Sequence, residues 1–162
     1  MADLSWATGE ELIAAADFLT EAIRRDDSYV SHGEVQTGLS PDGVHWADDL
    51  ATLMREDLAD PGPDRQVLVA RADGRILGAA IVLWVETPRV RYMVIEDVAV
   101  APETRGTGLG GRLIAFLEAA GKERGTDWAF LESGLRNHGA HDFFEHRGFA
   151  AISKVFCKRL TP

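Results

Sequence analysis

The 162 residues suit one ordinary domain, long enough to bury a single core and too short for two large ones. Apolar residues make up 46% and charged residues 27%, the balance of a folded chain, and 17 Lys and Arg against 26 Asp and Glu leave a net charge of −9. That charge argues against a broad basic surface for nucleic acid, and the single Cys157 excludes an internal disulfide framework and a multi-cysteine zinc site.

No apolar run approaches a membrane span, and Met1–Trp6 lacks the basic-then-apolar order of a signal peptide. The expectation is a cytoplasmic protein of one domain, residues 1–162, with neither nucleic acid nor membrane as partner. Asp3–Ala7 reads as a short strand. Thr8 and Glu11 have the spacing of a capping box, and Leu12, Ile13, Ala16, Leu19 and Ile23 predict a helix over Gly9–Arg25. Asp26–Ser40 is polar, carries Tyr29, His32 and two glycines, and reads as loop. Pro41 or Asp42 then starts a second helix with Trp46, Leu50, Leu53, Met54 and Leu58. Asp60-Pro61-Gly62-Pro63-Asp64 connects this helical front to a strand-rich back.

The back alternates strands and helices. Gln66–Arg71 and Arg75–Glu86 flank a hairpin turn at Ala72-Asp73-Gly74. Arg89–Val100 is apolar on nearly every residue past Tyr92, as a central strand covered on both faces would be. Leu109–Arg124 is an amphipathic helix stopped by Gly125. Thr126–Ser133 is a strand, His138–Arg147 a helix ended by Gly148, and Ala150–Leu160 a closing strand. Cys157 in that last strand reads as a small packed hydrophobe.

The strongest chemical signal is the run Val98–Val100 into Arg105-Gly106-Thr107-Gly108-Leu109-Gly110-Gly111. A strand enters a glycine-dense turn that opens a helix, where backbone N–H groups and the helix dipole favour a phosphate or pyrophosphate. Glycine lets the ligand approach the backbone closely, and Arg105 adds a formal charge at the mouth. The same glycines satisfy the dinucleotide fingerprint G-x-G-x-x-G, with Glu132 downstream. Ala101–Arg105 intervene between strand and glycines, however, and too little chain follows Gly111 for a doubly wound sheet. No Lys-Ser or Lys-Thr follows, so the Walker pattern is absent. The plain alternative is a turn that only lets a helix pack on a sheet.

Arg105-Gly106-Thr107-Gly108-Leu109-Gly110 resembles the R-x-x-G-x-G/A motif of the GCN5-related N-acetyltransferases (GNAT), with the preceding strand and following helix in place. Asn137-His138-Gly139-Ala140-His141-Asp142-Phe143-Phe144-Glu145-His146-Arg147-Gly148-Phe149 is similar to that family's N-x-x-A-x-x-x-Y-x-x-x-G-F segment. The resemblance is firm from about Val67 to Leu160; before Asp60 only the helix-loop-helix outline is similar. It implies a mixed α+β, GNAT-type fold, a twisted mixed sheet of about six to seven strands flanked by about four helices. It also implies that Arg105–Gly111 cradles the pyrophosphate of acetyl-CoA and that the backbone of Val98, Ala99 and Val100 pairs with the pantetheine arm where the central strands splay. Asn137 and Phe144 would lie near the thioester.

Acetyl transfer needs a neutral amine, so a base must take a proton. By alternation Val90, Tyr92, Val94, Glu96, Val98 and Val100 share one strand face, and Glu96 is the only carboxylate among them. Burial there would make it a better base, and in similar enzymes a glutamate on this strand plays that part. The alternative is that Glu96, or Asp97, pairs with Arg89, Arg91 or a loop N–H. The family's thiolate-protonating tyrosine is Phe144 here, which has no proton to give. His141 or His138, one turn back, could substitute; the alternative for both is an exposed helix face. The resemblance gives oxyanion stabilisation to a backbone N–H, that of Val98.

In similar enzymes the region between the first two helices shapes the acceptor pocket. Tyr29, His32, His45 and Trp46, with Trp84 and Glu86 on a strand, would suit an amine held by cation–π and charge contacts; Trp46 and Trp84 also read as core. The five histidines form no metal-ligand spacing, and no metal is expected. The reading is an acetyl-CoA-dependent N-acetyltransferase acting on a primary amine of a small molecule or protein, with a non-catalytic acyl-CoA-binding sensor as the alternative. A homodimer is common among similar proteins, and no feature of the sequence marks an interface.

Overall fold

The computed structural model describes residues 1–161. Its elements run β1 (Asp3–Trp6), α1 (Glu10–Ile23), α2 (His32–Thr37), α3 (Leu50–Ala59), β2 (Arg65–Ala72), β3 (Arg75–Glu86), β4 (Arg91–Val100), α4 (Leu109–Glu123), β5 (Trp128–Leu131) and α5 (His138–Glu145), with 3₁₀ turns at Asp27–Tyr29 and Pro102–Thr104. The chain divides into two compact units. One joins Met1–Arg25 to Asp49–Leu131, and the other joins Asp26–Asp48 to the chain from Glu132 onward.

The first unit holds a single sheet in the order β1-β2-β3-β4-β5. β1 to β4 pair antiparallel, and β5 returns parallel to β4 through the crossover helix α4. Val67–Ala70 and Ala79–Val82 are buried on consecutive residues, as strands covered on both faces must be. α1 and α3 pack together with α1 on β3 and β4, while α4 packs on β3 and β4 from the other layer. Leu109, Leu113, Ile114 and Leu117 form the buried stripe of α4, and each such side chain contributes about 1.5–3 kcal/mol on burial. Gly78 lets α4 come close: a Cβ there would lie 3.0 Å from Cδ1 of Leu113.

The second unit is built on short helices with side-chain caps. In α2 the Ser31 N–H and hydroxyl both donate to Oε2 of Glu34, at 2.6 and 2.7 Å, and Gly38 ends the helix at φ 81°. At the start of α5 the side-chain Oδ1 of Asn137 accepts the Ala140 N–H at 3.2 Å. Phe144 is buried against Phe143 and Phe149. His32 pairs with Glu132 at 3.0 Å, and the Arg136 guanidinium donates to the Asp27 carbonyl.

Four expectations are corrected. Asp26–Ser40 is not loop throughout, since the capping box at Ser31 and Glu34 nucleates α2. The second long helix opens at Leu50 rather than Pro41: the Asp42 carboxylate accepts the N–H groups of Val44 and His45, and Gly43 sits at φ 77°, so a turn competes successfully with helix. Thr8 and Glu11 form no capping box; Gly9 at φ 56° begins α1 and the Glu11 carboxylate pairs with Arg71. The closing strand Ala150–Leu160 is absent. Ile152, Val155, Phe156, Leu160 and Cys157 are exposed, because alternation suits a pleat but supplies no ladder partner. The sheet therefore has five strands among the described residues, with five helices.

Candidate active site

The pairing of β4 changes along its length. Tyr92–Ile95 lie between β3 and β5, but the β5 ladder ends at Ile95 and Leu131. From Asp97 to Val100 the strand pairs only with β3 among the described residues. At the same point Ile81 pairs with Asp97 and Val82 with Ile95, which leaves Glu96 as the extra residue of a β-bulge. The bulge breaks the simple alternation. Register places Val98 and Val100 opposite Ala80 and Gly78, on the face of Ile95 and Met93, while Tyr92 and Val94 share the other face with Asp97 and Ala99. The single-face row Val90–Val100 read from the sequence is therefore split at Glu96.

Backbone direction in the open stretch follows from one bond. The Ala101 N–H donates to the Leu77 carbonyl at 2.8 Å. Amides alternate along a strand, so the Ala99 amide also faces β3, whereas the N–H and C=O of Val98 and Val100 face the open edge.

The chain then folds through Pro102–Thr104 into the glycine turn. The Thr107 hydroxyl donates to the Thr104 carbonyl at 2.6 Å and the Thr104 hydroxyl to Ala101 at 2.8 Å, which tightens the approach to α4. Gly106 and Gly108 have φ of 77° and 87°, in the left-handed region that glycine adopts without strain. Gly108 is the N-cap of α4 and provides no side-chain acceptor, so the first-turn amides of Leu109 and Gly110 point out of the helix end. Arg105 is exposed beside them. The arrangement offers an anion oriented N–H groups, the positive end of a helix dipole and a cation.

Glu96 is held by neither of the expected arginines. Nε of Arg65, at the start of β2, donates to Oε2 of Glu96 at 2.7 Å, and the two terminal nitrogens of Arg65 fork onto Asp57 of α3 at 3.1 and 2.8 Å. Burial works against the Arg65 charge, but the hydrogen bonds and charges of Asp57 and Glu96 outweigh it and push its pKa further up. Arg91 instead pairs with Glu86 at 2.8 Å. Sequence reasoning missed Arg65 and Asp57, since 31 residues separate Arg65 from Glu96 and no local spacing joins them.

The model of the Acetyltransferase (GNAT) family matches residues 28–149. The chain belongs to that family. No curated protein matches the chain. Among solved structures it is similar to a transcriptional regulator from Bacillus halodurans C-125, with 19% identity, 99% of this chain and 100% of that chain covered and a TM-score of 0.71. It is also similar to a ribosomal-protein-alanine N-acetyltransferase from Brucella melitensis biovar Abortus 2308, with 18% identity, 99% and 100% covered and a TM-score of 0.67. An aminoglycoside acetyltransferase from an uncultured soil metagenomic sample gives 18% identity, 99% and 96% covered and a TM-score of 0.68. At these identities the likeness is one of fold. GNAT acetyltransferases use acetyl-CoA as cosubstrate and act on amine-bearing acceptors.

Within this GNAT chain the remaining predicted residues are occupied as follows. Trp84 donates its indole N–H to Gln66 at 2.9 Å, meets Trp6 edge to face and carries the Arg124 guanidinium 4.4 Å above its ring. Its register neighbour is Met93, which puts it on the α4 face. Glu86 is exposed at the end of β3. In the other unit, the Tyr29 N–H closes the 3₁₀ turn onto Asp26, Trp46 is half-buried ahead of α3, and His45 is bonded to Asp42. Asn137 caps α5, which carries His141 and Phe144. His141 is not an exposed face residue: its Nε2 lies 2.9 Å from the Gly134 carbonyl, so Nε2 carries the hydrogen there. Among the described residues, no group of three or more His, Cys, Asp or Glu is placed to hold a metal ion.

Proposed function

We propose that this chain transfers an acetyl group from acetyl-CoA directly to a primary amine. The observation that carries the reading is the open edge of β4, Glu96 to Val100, followed through the turn at Pro102–Gly108 by the N-terminus of α4. The amides of Leu109 and Gly110, with Gly106, Gly108 and Arg105, suit the pyrophosphate; the edge amides of Val98 and Val100 suit an extended pantetheine arm, as in strand addition. Acetyl-CoA, when bound, supplies an acyl carbon activated as a thioester. The Val98 N–H would donate to the acyl oxygen as negative charge develops there. Glu96 would accept the amine's proton at the carboxylate oxygen that Arg65 does not engage. His141 Nε2 is committed to Gly134, and Phe144 has no proton to give, so the departing thiolate leaves without a dedicated acid from α5. A thiol is a tolerable leaving group near its ordinary pKa.

The net charge of −9 favours cationic acceptors. A polyamine, an aminoglycoside and a peptide with N-terminal alanine form the first panel. The latter two are chosen because solved structures of similar fold are described as an aminoglycoside acetyltransferase and a ribosomal-protein-alanine N-acetyltransferase.

The second reading is an acyl-CoA sensor without turnover. The apolar Phe144 at the family's tyrosine position favours it, and one solved structure of similar fold is described as a transcriptional regulator. Calorimetric titration with acetyl-CoA, with NAD as control, is the first test. Micromolar binding with release of coenzyme A on any panel amine supports the enzyme. Tight binding with no turnover supports the sensor, and a preference for NAD overturns both. Thiol detection should use Cys157→Ser protein, because Cys157 is exposed and would react itself.

A further inference from the structure

We propose that Arg65 is a positioning residue that fixes the Glu96 carboxylate for proton transfer, with Asp57 fixing Arg65 in turn. The inference rests on Glu96 acting as the base. Glu96 is the one residue of β4 that the bulge leaves without a partner on β3, so the ladder does not fix its orientation as it fixes that of its neighbours. A glutamate on such a residue has three free torsions, and an acceptor used in proton transfer must be held within tenths of an ångström.

Arg65 supplies the hold. It enters from β2, two strands away, with its side chain only 20% exposed, and spends Nε on Oε2 of Glu96. Its remaining fork is bidentate on Asp57, so the planar guanidinium cannot rotate without breaking two charge-assisted bonds. Because Arg65 takes one oxygen of Glu96, the other is the atom left to meet the amine. The chain of contacts is α3 to β2 to the bulge of β4, and it lies wholly in the first unit. A lysine at position 65 would keep the charge and lose the fork, so charge and geometry can be separated.

The test is a set of variants assayed on whichever amine of the panel (spermidine, kanamycin or an N-terminal alanine peptide) turns over fastest. Glu96→Gln establishes the base. Arg65→Met is expected to lower kcat ten- to hundredfold while the KM for acetyl-CoA moves less than twofold, and Arg65→Lys to restore part of that loss. In the Glu96→Gln background Arg65→Met should have almost no further effect. If Arg65→Met does not fold, Asp57→Asn, which frees the fork while leaving Arg65 in place, should lower kcat several-fold without changing acetyl-CoA affinity. Losses that multiply in the double variant, or a rise in KM with kcat intact, would overturn the positioning role while leaving Glu96 as base. Full activity of Glu96→Gln, or no turnover of any amine, would overturn the base reading and this inference with it.

Discussion

The Ala101 N–H donates to the Leu77 carbonyl at 2.8 Å, and this single bond decides which backbone groups of β4 are spent on the sheet. Counting back, Ala99 bonds β3 while Val98 faces the edge that β5 no longer covers. Proline removes an amide hydrogen, so it reads this difference directly. Ala99→Pro breaks a ladder rung beside the fully buried Ala79 and leaves its acceptor unpaired, which should cost about 1–3 kcal/mol and lower the melting temperature. Val98→Pro leaves the β3 ladder intact and should melt well above Ala99→Pro. Its turnover should nevertheless fall about a hundredfold, the usual cost of one oxyanion donor. Equal melting temperatures for the two variants would mean that the alternation has been assigned wrongly.

Gly108 is the second point where backbone and ligand are linked. Its φ of 87° costs a residue with a Cβ about 1–2 kcal/mol, yet a Cβ there would meet no atom within 4 Å. Gly108→Ala should therefore fold with a modest fall in melting temperature. If the turn cradles a pyrophosphate, acetyl-CoA affinity should fall at least tenfold, more than the stability loss accounts for, because the added methyl occupies the approach to the first-turn amides. Calorimetry on the folded variant measures this, and unchanged affinity would remove the glycine turn from the coenzyme site.

Much of this organisation is legible in the residues, and the omissions have physical causes. The strand-turn-helix at Val98–Gly111 is written locally, in an apolar run, glycines and a following apolar stripe, and it is found as read. The fork of Arg65 is not, because Asp57, Arg65 and Glu96 belong to three elements whose proximity is created by sheet order. The bulge at Glu96 is equally silent: periodicity assumes an unbroken pleat, and one extra residue reverses the face of everything after it. Conversely Ala150–Leu160 has a strand's alternation without a strand's partner, and alternation alone cannot distinguish the two. Trp84 illustrates the remaining ambiguity. An aromatic on a strand reads equally well as pocket wall or as packing, and in the fold Trp84 is bonded to Gln66 and lies under the Arg124 guanidinium, partners that spacing does not foretell.

The turn at Asp42 carries a pH signature. Nδ1 of His45 lies 2.7 Å from Oδ2 of Asp42. Backbone and side-chain hydrogen bonds from His45 hold the Asp42 carboxyl well below the ordinary carboxylate range, and the bond to Asp42 and then its charge raise the His45 imidazole above its ordinary 6.5. A depressed carboxylate stabilises the fold above its ordinary pKa and loses that contribution as acid is added. A raised imidazole stabilises it below its ordinary pKa and loses that contribution as pH rises through the folded value. Both contributions are present together between about pH 4 and pH 6.5. Both groups are largely exposed, so the effect should weaken with salt. In an NMR titration the His45 ring should have a midpoint above 6.5 that returns toward 6.5 in Asp42→Asn. A midpoint unaffected by that substitution would mean the pair does not persist in solution.

Gly134 tests the second unit. A Cβ at this position would lie 2.7 Å from the Val30 carbonyl oxygen and still closer to that of Ser28, contacts no side chain can accept. The same stretch of backbone accepts the His141 ring, and the Asn137 N–H bonds the Gly134 carbonyl at 2.9 Å, so the chain cannot retreat without loosening the start of α5. Gly134→Ala should cost about 3 kcal/mol, the upper part of the range for overpacking. Hydrogen exchange offers the sharper measurement. Protection should fall in residues 26–48 and along α5 while β2 and β3 of the first unit keep theirs, because the clash and its partners all lie within the second unit. Uniform loss of protection across both units would mean that they unfold as one, and unchanged protection that the Gly134 backbone is free to move.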